Sequence, residues 1–347
     1  MFLKSSVSLK QEIKCSRIID FIRILYTVCL HKVVERLPFL FVYLYGIINR
    51  LINLNCIVAE FNIWKANCID VMDRMIEEGI TVDMILTSPP YDNMTTYGKT
   101  LDGTNWNFNV FKEIAKRMEK VLRPGGVICW VVGDQVKNGC KSGTTARQAL
   151  YFMDELKMKW NDTIIYEKNS SAFPASKTSK RWTNIYESIL VFTKGKIRDD
   201  IQLLCDKENK WAGFTNWGSN TNYDKDGKLI KTEDIKAVPQ FSKRTNIWKY
   251  TTACEKDKNK HPAVFPEKLA IDLILSYSVE NDLIFDPFLG SGTTIKAALV
   301  NNRCGCGSEI VDEYYNMAKD RINKYRGEQP LYEDNYENLK NKNSFYG

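Results

Sequence analysis

Histidine is scarce in this chain: of 347 residues only His31 and His261 are histidines. The ten cysteines are spread from Cys15 to Cys306 without a Cys-x-x-Cys pair, and the closest two, Cys304 and Cys306, lie in a strand-like stretch where alternate side chains point to opposite faces. A structural zinc site needs a set of closely spaced Cys or His ligands. The sequence therefore predicts no metal site, and cysteines that stay reduced thiols as in a cytoplasmic protein.

Long hydrophobic runs are also missing. The apolar run at residues 37–48 is shorter than the roughly 20 residues that a membrane-spanning helix needs, and extending it brings in Asn49 and Arg50. No early apolar segment precedes a small-residue cleavage site, so we expect no signal peptide. Residues 1–57 are therefore predicted to be a basic, helical accessory extension or an upstream start that adds nothing to catalysis, and a membrane anchor is the less favoured alternative. The protein is predicted to be cytoplasmic with no membrane partner.

The chain that follows has the pattern of an α/β domain. Residues 110–122 carry apolar side chains at helical spacing, and the continuous apolar run at 127–132 is typical of a strand that is covered on both faces. Strands and helices alternate in this way over most of the chain, which predicts an α/β sheet. Residues 123–126, Arg-Pro-Gly-Gly, are predicted to be the turn that ends the helix.

One segment breaks this alternation. Residues 197–260 show no sustained period and are rich in Lys, Asn, Asp and Trp, and the stretch 194–260 holds 15 basic and 10 acidic residues. Long irregular insertions in compact domains are usually functional or disordered. Cations beside aromatic rings suit nucleic acid, because phosphates bind the cations and bases stack on the rings. The chain's net charge of +7 permits such a partner. A solvated surface insertion is the alternative.

A stiff turn follows the strand predicted at residues 82–86. Its sequence is Thr87-Ser88-Pro89-Pro90-Tyr91. Two consecutive prolines prevent a helix from starting there, so the Ser88 hydroxyl and the prolyl carbonyls become fixed acceptors at the end of the strand. With the Tyr91 ring beside them, these groups suit a planar ligand with an exocyclic amine, which the acceptors hold while the ring stacks. The alternative is a structural turn with a buried tyrosine.

A second turn, rich in glycine, lies near the end of the chain. It reads Asp286-Pro287-Phe288-Leu289-Gly290-Ser291-Gly292-Thr293-Thr294. A strand, a glycine turn and a helix let the backbone approach a ligand closely. No Gly-Lys-Ser/Thr follows, and Ile295 occupies the third glycine position of a dinucleotide motif, so a ligand without a pyrophosphate fits better. Glu309 ends the next predicted strand, where a carboxylate accepts ribose hydroxyls. The two turns together indicate S-adenosylmethionine.

These two turns resemble those of the DNA amino-methyltransferases that modify cytosine N4 or adenine N6. Their order is that of the family's beta group, with the catalytic turn first, a target-recognition insertion next and the cofactor turn last. The resemblance covers about residues 58–326 and includes segments 261–269 and 309–312. It implies an α/β, Rossmann-like methyltransferase fold, with a circularly permuted, seven-stranded mixed sheet and both turns at the carboxyl ends of neighbouring strands.

The resemblance also implies the site residues. Ser88, Pro89, Pro90 and Tyr91 would hold the target base. The cofactor would be bound by Asp286, Pro287, Phe288, Gly290, Ser291, Gly292, Thr293 and Glu309, by Phe265 and Pro266 where a helix begins, and by Asn67 at the adenine edge. Asn67 departs from the family, which often has Gly-Asp where this chain has Ala66-Asn67. DNA would be contacted by Lys177, Lys180, Arg181, Trp182, Lys243, Arg244 and Lys249.

The implied domains and activity follow. Residues 1–57 form the extension, 58–196 the catalytic half, 197–260 the insertion, 261–326 the cofactor half and 327–347 a polar tail. The expected reaction moves a methyl group to the exocyclic amine of a base flipped out of double-stranded DNA. Cytosine N4 is favoured because serine precedes Pro-Pro-Tyr, with adenine N6 as the alternative and a non-enzymatic DNA-binding module as the rival class. A cognate restriction endonuclease and a homodimer stay open as partners.

Overall fold

The computed structural model describes residues 61–90, 106–137, 139–169, 175–215, 221–231, 237–250 and 266–325. The predicted extension and tail, Tyr91 and Phe265 lie outside them. The strands are β1 (Phe61–Lys65), β2 (Val82–Thr87), β3 (Leu122–Val132), β4 (Val136–Lys137), β5 (Cys140–Lys141), β6 (Lys159–Lys168), β7 (Tyr186–Thr193), β8 (Lys207–Glu208), β9 (Thr221–Tyr223), β10 (Leu229–Lys231), β11 (Phe241–Ser242), β12 (Ile247–Tyr250), β13 (Leu283–Asp286) and β14 (Cys304–Glu309).

The helices alternate with the strands of the main sheet. They are α1 (Cys68–Glu77), α2 (Phe108–Val121), α3 (Thr144–Leu150), α4 (Glu267–Tyr277), α5 (Thr293–Val300) and α6 (Asp312–Tyr325), and a π-helical segment, Tyr151–Glu155, continues α3. No helix in the described ranges is long and apolar enough to cross a membrane.

Within the described ranges, eight strands form one sheet, in the order β1-β14-β13-β2-β3-β7-β6-β12. β7 runs antiparallel to its neighbours β3 and β6, and the other neighbouring pairs are parallel. β13, which comes late in the chain, lies between β14 and β2 in the middle of the sheet. The predicted mixed, Rossmann-like sheet is confirmed, with one strand more than expected. The edge strand β12 comes from the segment that was predicted to be irregular.

Different helices cover the two faces of the sheet. Along β3, Ile128 and Trp130 face a core formed with α1, α2 and α3, whereas Cys129 and Val131 face α4 and α5. Because β3 is buried on both faces, its sequence is a continuous apolar run. The indole N–H of Trp130, which lies inside this core, donates a 2.8 Å hydrogen bond to the side chain of Gln148. The core therefore buries no unpaired polar atom of Trp130.

The structure corrects the prediction of a helix-ending turn at residues 123–126. α2 ends at Val121 and β3 begins at Leu122, so these residues form a bulge within the start of the strand. Val82 pairs with Leu122 and Met84 with Val127, which leaves Asp83 alone opposite the bulge. Gly125 adopts φ +78°, the left-handed conformation that glycine tolerates. The Arg-Pro-Gly-Gly sequence therefore does mark an irregularity of the backbone, but this irregularity lies in β3 and not at the end of α2.

Candidate active site

The two predicted turns lie side by side at one edge of the sheet. β2 and β13 are parallel neighbours, with Met84 opposite Ile284 and Ile85 opposite Phe285. Ser88 therefore follows β2 at the same edge at which β13 ends. We call this edge, at which β2 and β13 end, the carboxyl edge. The prediction that both turns follow neighbouring strands is confirmed.

The Ser-Pro-Pro turn sits between β13 and β3. Thr87 lies opposite Trp130 of β3, and the chain then leaves the sheet with Ser88 and Pro90 half-buried and Pro89 buried. Two prolines hold this stretch in one conformation because each fixes its own φ and restricts the residue before it. The turn is thus a stiff wall beside the end of β13.

Asp286 is buried beneath the glycine turn. One oxygen of its carboxylate accepts a 2.6 Å hydrogen bond from the Thr87 hydroxyl and a 3.0 Å hydrogen bond from the backbone N–H of Phe288. Burial raises the pKa of Asp286 to about 6, although hydrogen bonds from Thr87 and Thr294 and from the backbone oppose the shift. Asp286 therefore fixes the shape of the turn and ties it to the strand that carries Ser88.

Glu309 closes the other side of the glycine turn. One carboxylate oxygen accepts a 2.9 Å hydrogen bond from the backbone N–H of Gly290, and the other accepts 2.9 Å hydrogen bonds from Ile310 and Val311. Burial raises the pKa of Glu309, and these three backbone donors oppose the rise. Each carboxylate oxygen can accept more than one hydrogen bond. Glu309 is therefore oriented by the backbone at the end of β14, next to Gly290.

The glycines of this region have different tasks. Gly290 and Gly292 have φ of +51° and +78°. A Cβ on Gly292 would lie 3.1 Å from the Cβ of Ala318 in α6, so this position is needed for helix packing. Gly307 of β14 was not predicted; a Cβ there would lie 2.9 Å from the carbonyl oxygen of Asp286. Gly292 is therefore explained by its packing against α6, and its place in the lining of the cofactor site stays a prediction. The missing side chain of Gly307 allows β14 to approach the turn.

Ser291 and Thr293 face a buried charge cluster. Their hydroxyls accept hydrogen bonds of 3.3 and 3.0 Å from the Arg321 guanidinium in α6. Arg321 also donates a 2.9 Å hydrogen bond to Glu267, which begins α4 and pairs with Lys296 at 3.2 Å. The sequence does not reveal this cluster, because nothing in an amphipathic helix identifies which arginine turns inward. The cluster joins α4, α5 and α6 behind the glycine turn.

Three more predicted residues have contacts that the structure defines. The ring of Phe288 packs edge-on against Trp106, with ring centroids 5.4 Å apart. The carbonyl of Pro287 accepts a 3.1 Å hydrogen bond from the Ser308 hydroxyl, and the carbonyl of Pro266 accepts the first hydrogen bonds of α4. Trp106 was not singled out by the sequence, and its contact with Phe288 adds an aromatic surface beside the turn.

Asn67 begins α1 beside the end of β14. Its side-chain oxygen accepts a 3.0 Å hydrogen bond from the backbone N–H of Ile69, which is a helix N-cap. The preceding residue, Ala66, donates its N–H to the carbonyl of Glu309 at 3.1 Å. Asn67 is therefore at the carboxyl edge, as the predicted contact with an adenine requires, but its oxygen already serves the helix.

The predicted cationic loop also emerges at the carboxyl edge. Val132 near the end of β3 pairs with Ser188 near the start of β7, and Tyr186 pairs with Glu167 near the end of β6. The connection between β6 and β7 therefore leaves the sheet at the carboxyl edge, with β3 between β7 and the strand that leads into the Ser-Pro-Pro turn. On it, Lys177, Lys180, Arg181 and Trp182 are all exposed.

The three cations of the insertion that were predicted to contact DNA lie in different places. β12 runs parallel to β6 with Lys249 opposite Glu167, so Lys249 lies at the carboxyl edge, exposed and 2.8 Å from the Glu167 carboxylate. Lys243 is exposed but precedes β12, which places it toward the opposite edge. The chain direction thus favours Lys249 over Lys243 as a neighbour of a ligand at the turn.

The surroundings of Arg244 favour a structural role over the predicted contact with DNA. Its guanidinium donates 3.0 and 2.8 Å hydrogen bonds to Asp206 and to the buried Asp272 of α4, and it lies 4.9 Å from the centre of the Trp248 ring. The hydrogen bond from Arg244 holds the pKa of Asp206 below its usual range. Tyr250 donates to the same Asp272 oxygen at 2.6 Å. Arg244 therefore anchors the insertion to α4, because its donors are used inside the protein.

Comparison with known proteins agrees with this geometry. A family model described as DNA methylase (N6_N4_Mtase) matches residues 82–320. The orphan methyltransferase M.BamHII of Bacillus amyloliquefaciens is 42% identical over 250 residues, which are 71% of this chain and 90% of that protein. The type II methyltransferase M.HpaI of Haemophilus parainfluenzae is 28% identical over 266 residues, 74% of this chain and 72% of that protein.

A solved structure shows the same fold. The PvuII DNA methyltransferase, described as cytosine-N4-specific, superimposes with a TM-score of 0.54 at 17% identity, covering 82% of this chain and 92% of that one. The family match spans β2, β13 and both of the turns that meet at the carboxyl edge. This chain belongs to the family of N6 and N4 DNA methylases.

Proposed function

We propose that the protein transfers a methyl group from S-adenosylmethionine to the exocyclic amine of a base flipped out of duplex DNA, with cytosine N4 favoured over adenine N6. The observation that carries the proposal is the pairing of β2 with β13, which brings the Ser88 turn and the glycine turn to one edge. The hydrogen bond between Thr87 and Asp286 then fixes the two turns against each other. The site that accepts the N–H groups of the target amine and the site for the nucleoside therefore lie side by side.

The residues around the glycine turn fit this cofactor. Gly290 presents backbone without a side chain, and Glu309 holds a carboxylate whose oxygens have capacity for ribose hydroxyls. Phe288 and Trp106 add an aromatic surface, and the Asn67 amide nitrogen is a donor for an adenine edge. The start of α4 after Pro266 offers backbone N–H groups and a favourable helix dipole to a carboxylate. Phe265 remains a predicted neighbour.

The chain's own part in the reaction is to position the base. When bound, S-adenosylmethionine supplies an electrophilic methyl group on a sulfonium sulfur. The Ser88 hydroxyl and the Pro89 carbonyl accept the two N–H groups of the amine, Pro90 keeps the turn rigid, and Tyr91 stacks on the base. This orientation aims the nitrogen lone pair at the methyl group, and positioning supplies much of the acceleration. The nitrogen becomes acidic only as its new bond to carbon forms, so a hydrogen bond to Ser88 Oγ suffices during the transfer, and the proton then leaves to water.

The preference for cytosine depends on Ser88. A hydroxyl both donates and accepts, so it can hydrogen-bond the N3 atom of cytosine, whereas an ionised carboxylate at this position only accepts. Adenine presents N1 in a similar place, so adenine N6 remains the second candidate. The target atom therefore needs a direct measurement.

The test is expression in a host without DNA methylation, followed by sequencing that detects modified bases and by mass analysis of DNA digested to nucleosides. We expect N4-methylcytosine within one short sequence motif, and no product from Ser88→Ala or Tyr91→Ala. N6-methyladenine as the product would reverse the base assignment and leave the reaction class standing. Unmodified DNA, together with no S-adenosylmethionine binding in calorimetry, would instead favour the non-enzymatic DNA-binding module.

The DNA interface proposed here lies at the carboxyl edge. Lys177, Lys180 and Arg181 on the β6–β7 loop and Lys249 at the end of β12 are exposed cations on the side of the sheet where the base must enter. Phosphate contacts from such residues supply sequence-independent affinity. A cognate endonuclease, a homodimer and a cytoplasmic location remain predictions of the sequence.

A further inference from the structure

Trp182 stands out among the described tryptophans. Its side chain is 98% exposed, whereas Trp130 and Trp248 are buried in the core. Large aromatic side chains are usually buried at least in part, because their burial contributes strongly to stability. Trp182 gains none of this in the free protein.

The loop presents this ring in a defined way. The N–H of Ala175 donates a 3.0 Å hydrogen bond to the Thr183 hydroxyl and joins the two sides of the loop. Within it, the Ser179 hydroxyl accepts a 3.2 Å hydrogen bond from the N–H of Arg181 and donates to the Arg181 carbonyl at 3.3 Å. The tip is therefore held by its own hydrogen bonds, with Trp182 pointing into solvent.

The loop is also in the right place for a ligand at the Ser88 turn. It starts from β6 and ends at β7, and β7 is separated from β2 only by β3. Neighbouring strands are about 4.8 Å apart, so the base of the loop lies roughly 10 Å from the turn along the carboxyl edge. Lys177, Lys180 and Arg181 lie on the same loop as Trp182, and all three are exposed. When these cations contact phosphates, the loop brings the exposed ring close to the bases.

We infer that Trp182 enters the base stack of the duplex and takes the space left by the flipped base, an inference that rests on the proposed function. Extruding a base breaks its stacking on both neighbours and leaves a gap. A planar indole fits between base pairs, and side chains inserted at base steps are a known means of opening a duplex. Stacking on an aromatic ring is worth about tenfold to hundredfold in affinity. Trp182 thereby stabilises the duplex from which the base has left.

The experiment compares two unmethylated duplexes that contain the recognition site identified by sequencing. One is fully paired, and the other has an abasic nucleotide opposite the target base, so that its target is already unpaired. Affinity is measured by fluorescence anisotropy and methylation by the initial rate. We expect Trp182→Ala to lose about tenfold to hundredfold in affinity and rate on the paired duplex, and less than threefold on the abasic duplex. Trp182→Phe should retain most of both.

Lys180→Gln is the matched control from the same loop. It removes a phosphate contact, so it should weaken binding to both duplexes by the same factor. Methylation of the paired duplex by the unchanged enzyme establishes the proposed function separately. Equal losses on both duplexes for Trp182→Ala, or no loss on the paired duplex, would overturn the inference and leave that function intact.

Discussion

The Thr87 hydroxyl donates a 2.6 Å hydrogen bond to the carboxylate of Asp286, which lies 199 residues further along the chain. Both residues are buried. One ends the strand that leads into Ser88, and the other ends the strand that leads into the glycine turn. A single side-chain contact thus sets the spacing between the proposed base site and the proposed cofactor site, in addition to the backbone pairing of β2 with β13.

Replacing Thr87 with valine tests this contact. Valine keeps the shape of threonine but removes the donor, so the buried carboxylate loses part of its stabilisation. Hydrogen bonds to charged groups are worth about 1.5–3 kcal/mol. We expect the free energy of unfolding at pH 8 to fall by about this amount in urea titrations, and calorimetry to show weaker S-adenosylmethionine binding. At pH 5, where Asp286 is protonated, the loss of stability should be smaller.

Thr193→Val is the matched control. Thr193 is also buried, but its hydroxyl donates to the backbone carbonyl of Gly195 at 3.0 Å, at the other end of the sheet. Thr193→Val should lower the free energy of unfolding by about 1 kcal/mol at both pH values and leave the affinity for S-adenosylmethionine unchanged. If the two variants behaved alike in pH dependence and in binding, the Thr87–Asp286 contact would have no special role.

Asp286 itself should give stability a distinct pH dependence. Burial raises the pKa of Asp286 to about 6, against about 3.9 for an aspartate in an unfolded chain. Between these values the folded state binds more protons than the unfolded state, so the free energy of unfolding falls as pH rises from 4 to 6 and then levels off. Asp286→Asn removes this ionisation, while its amide oxygen still accepts from Thr87 and Phe288.

We therefore expect Asp286→Asn to match the unchanged protein near pH 4 and to exceed its stability above pH 6.5. Two pKa units correspond to about 3 kcal/mol. Urea unfolding at half-unit pH steps measures the difference, which isolates Asp286 from the other carboxylates. Stability curves that run parallel from pH 4 to 8 would show that Asp286 is not the titrating group. Calorimetry should show that the more stable variant binds S-adenosylmethionine less well.

What the sequence predicted correctly depends on short-range rules. The Pro-Pro turn, the glycine turn and the carboxylate at Glu309 are each recognisable from neighbouring residues, because φ restrictions and strand ends are local. β12 was missed because Ile247–Tyr250 is a short strand within a polar segment. Ile247–Tyr250 becomes a strand by pairing with β6, and pairing with a distant strand cannot be deduced from four residues.

The sequence could not reveal contacts between distant parts of the chain. Arg244 resembles any cation of a basic insertion, but its partner Asp272 is 28 residues away on another element. The sequence around Gly292 is typical of a ligand-binding glycine, and its packing against Ala318 of α6 is visible only in the folded structure. The links between Thr87 and Asp286 and between Arg321 and Glu267 likewise exist only once the sheet has been assembled. Sequence patterns give the local chemistry of a residue, and the tertiary fold decides which neighbour uses it.

Substituting alanine at Gly290 and at Gly292 separates ligand binding from packing. Both positions have a positive φ, so both variants carry a similar backbone strain of about 1–2 kcal/mol. At Gly292 the new Cβ also meets Ala318 of α6. We expect Gly292→Ala to lose a further 1–3 kcal/mol of stability, roughly, through overpacking, and to keep its affinity for S-adenosylmethionine within about threefold.

Gly290→Ala should show the reverse. Its Cβ is predicted to occupy space next to the cofactor, so calorimetry should show a loss of S-adenosylmethionine binding while urea unfolding shows only the backbone strain. The larger Gly290→Val should abolish binding in a folded protein. Unchanged affinity in Gly290→Val would remove this turn from the cofactor site.

The last prediction separates Arg244 from the cations of the β6–β7 loop. Arg244→Met removes the partner of Asp206 and of the buried Asp272, and breaking a buried ion pair costs about 3 kcal/mol or more. We expect a lower free energy of unfolding in urea, with no change in the salt dependence of DNA binding. Lys180→Gln should leave the free energy of unfolding unchanged and reduce the salt dependence of DNA binding. Each lost phosphate contact lowers the slope of log affinity against log salt by about 0.9.

Anisotropy titrations of one duplex between about 50 and 200 mM salt measure these slopes, under conditions where urea unfolding shows that both variants are folded. The pairing of Arg244 with Asp206 also predicts a pH effect: the lowered pKa of Asp206 stabilises the fold above the ordinary aspartate range, and this contribution is lost as pH falls through the lowered pKa. Arg244→Met should lack this contribution. A flattened salt slope with an unchanged urea midpoint in Arg244→Met would show that Arg244 contacts phosphate after all, because only a residue that releases counterions can change the slope.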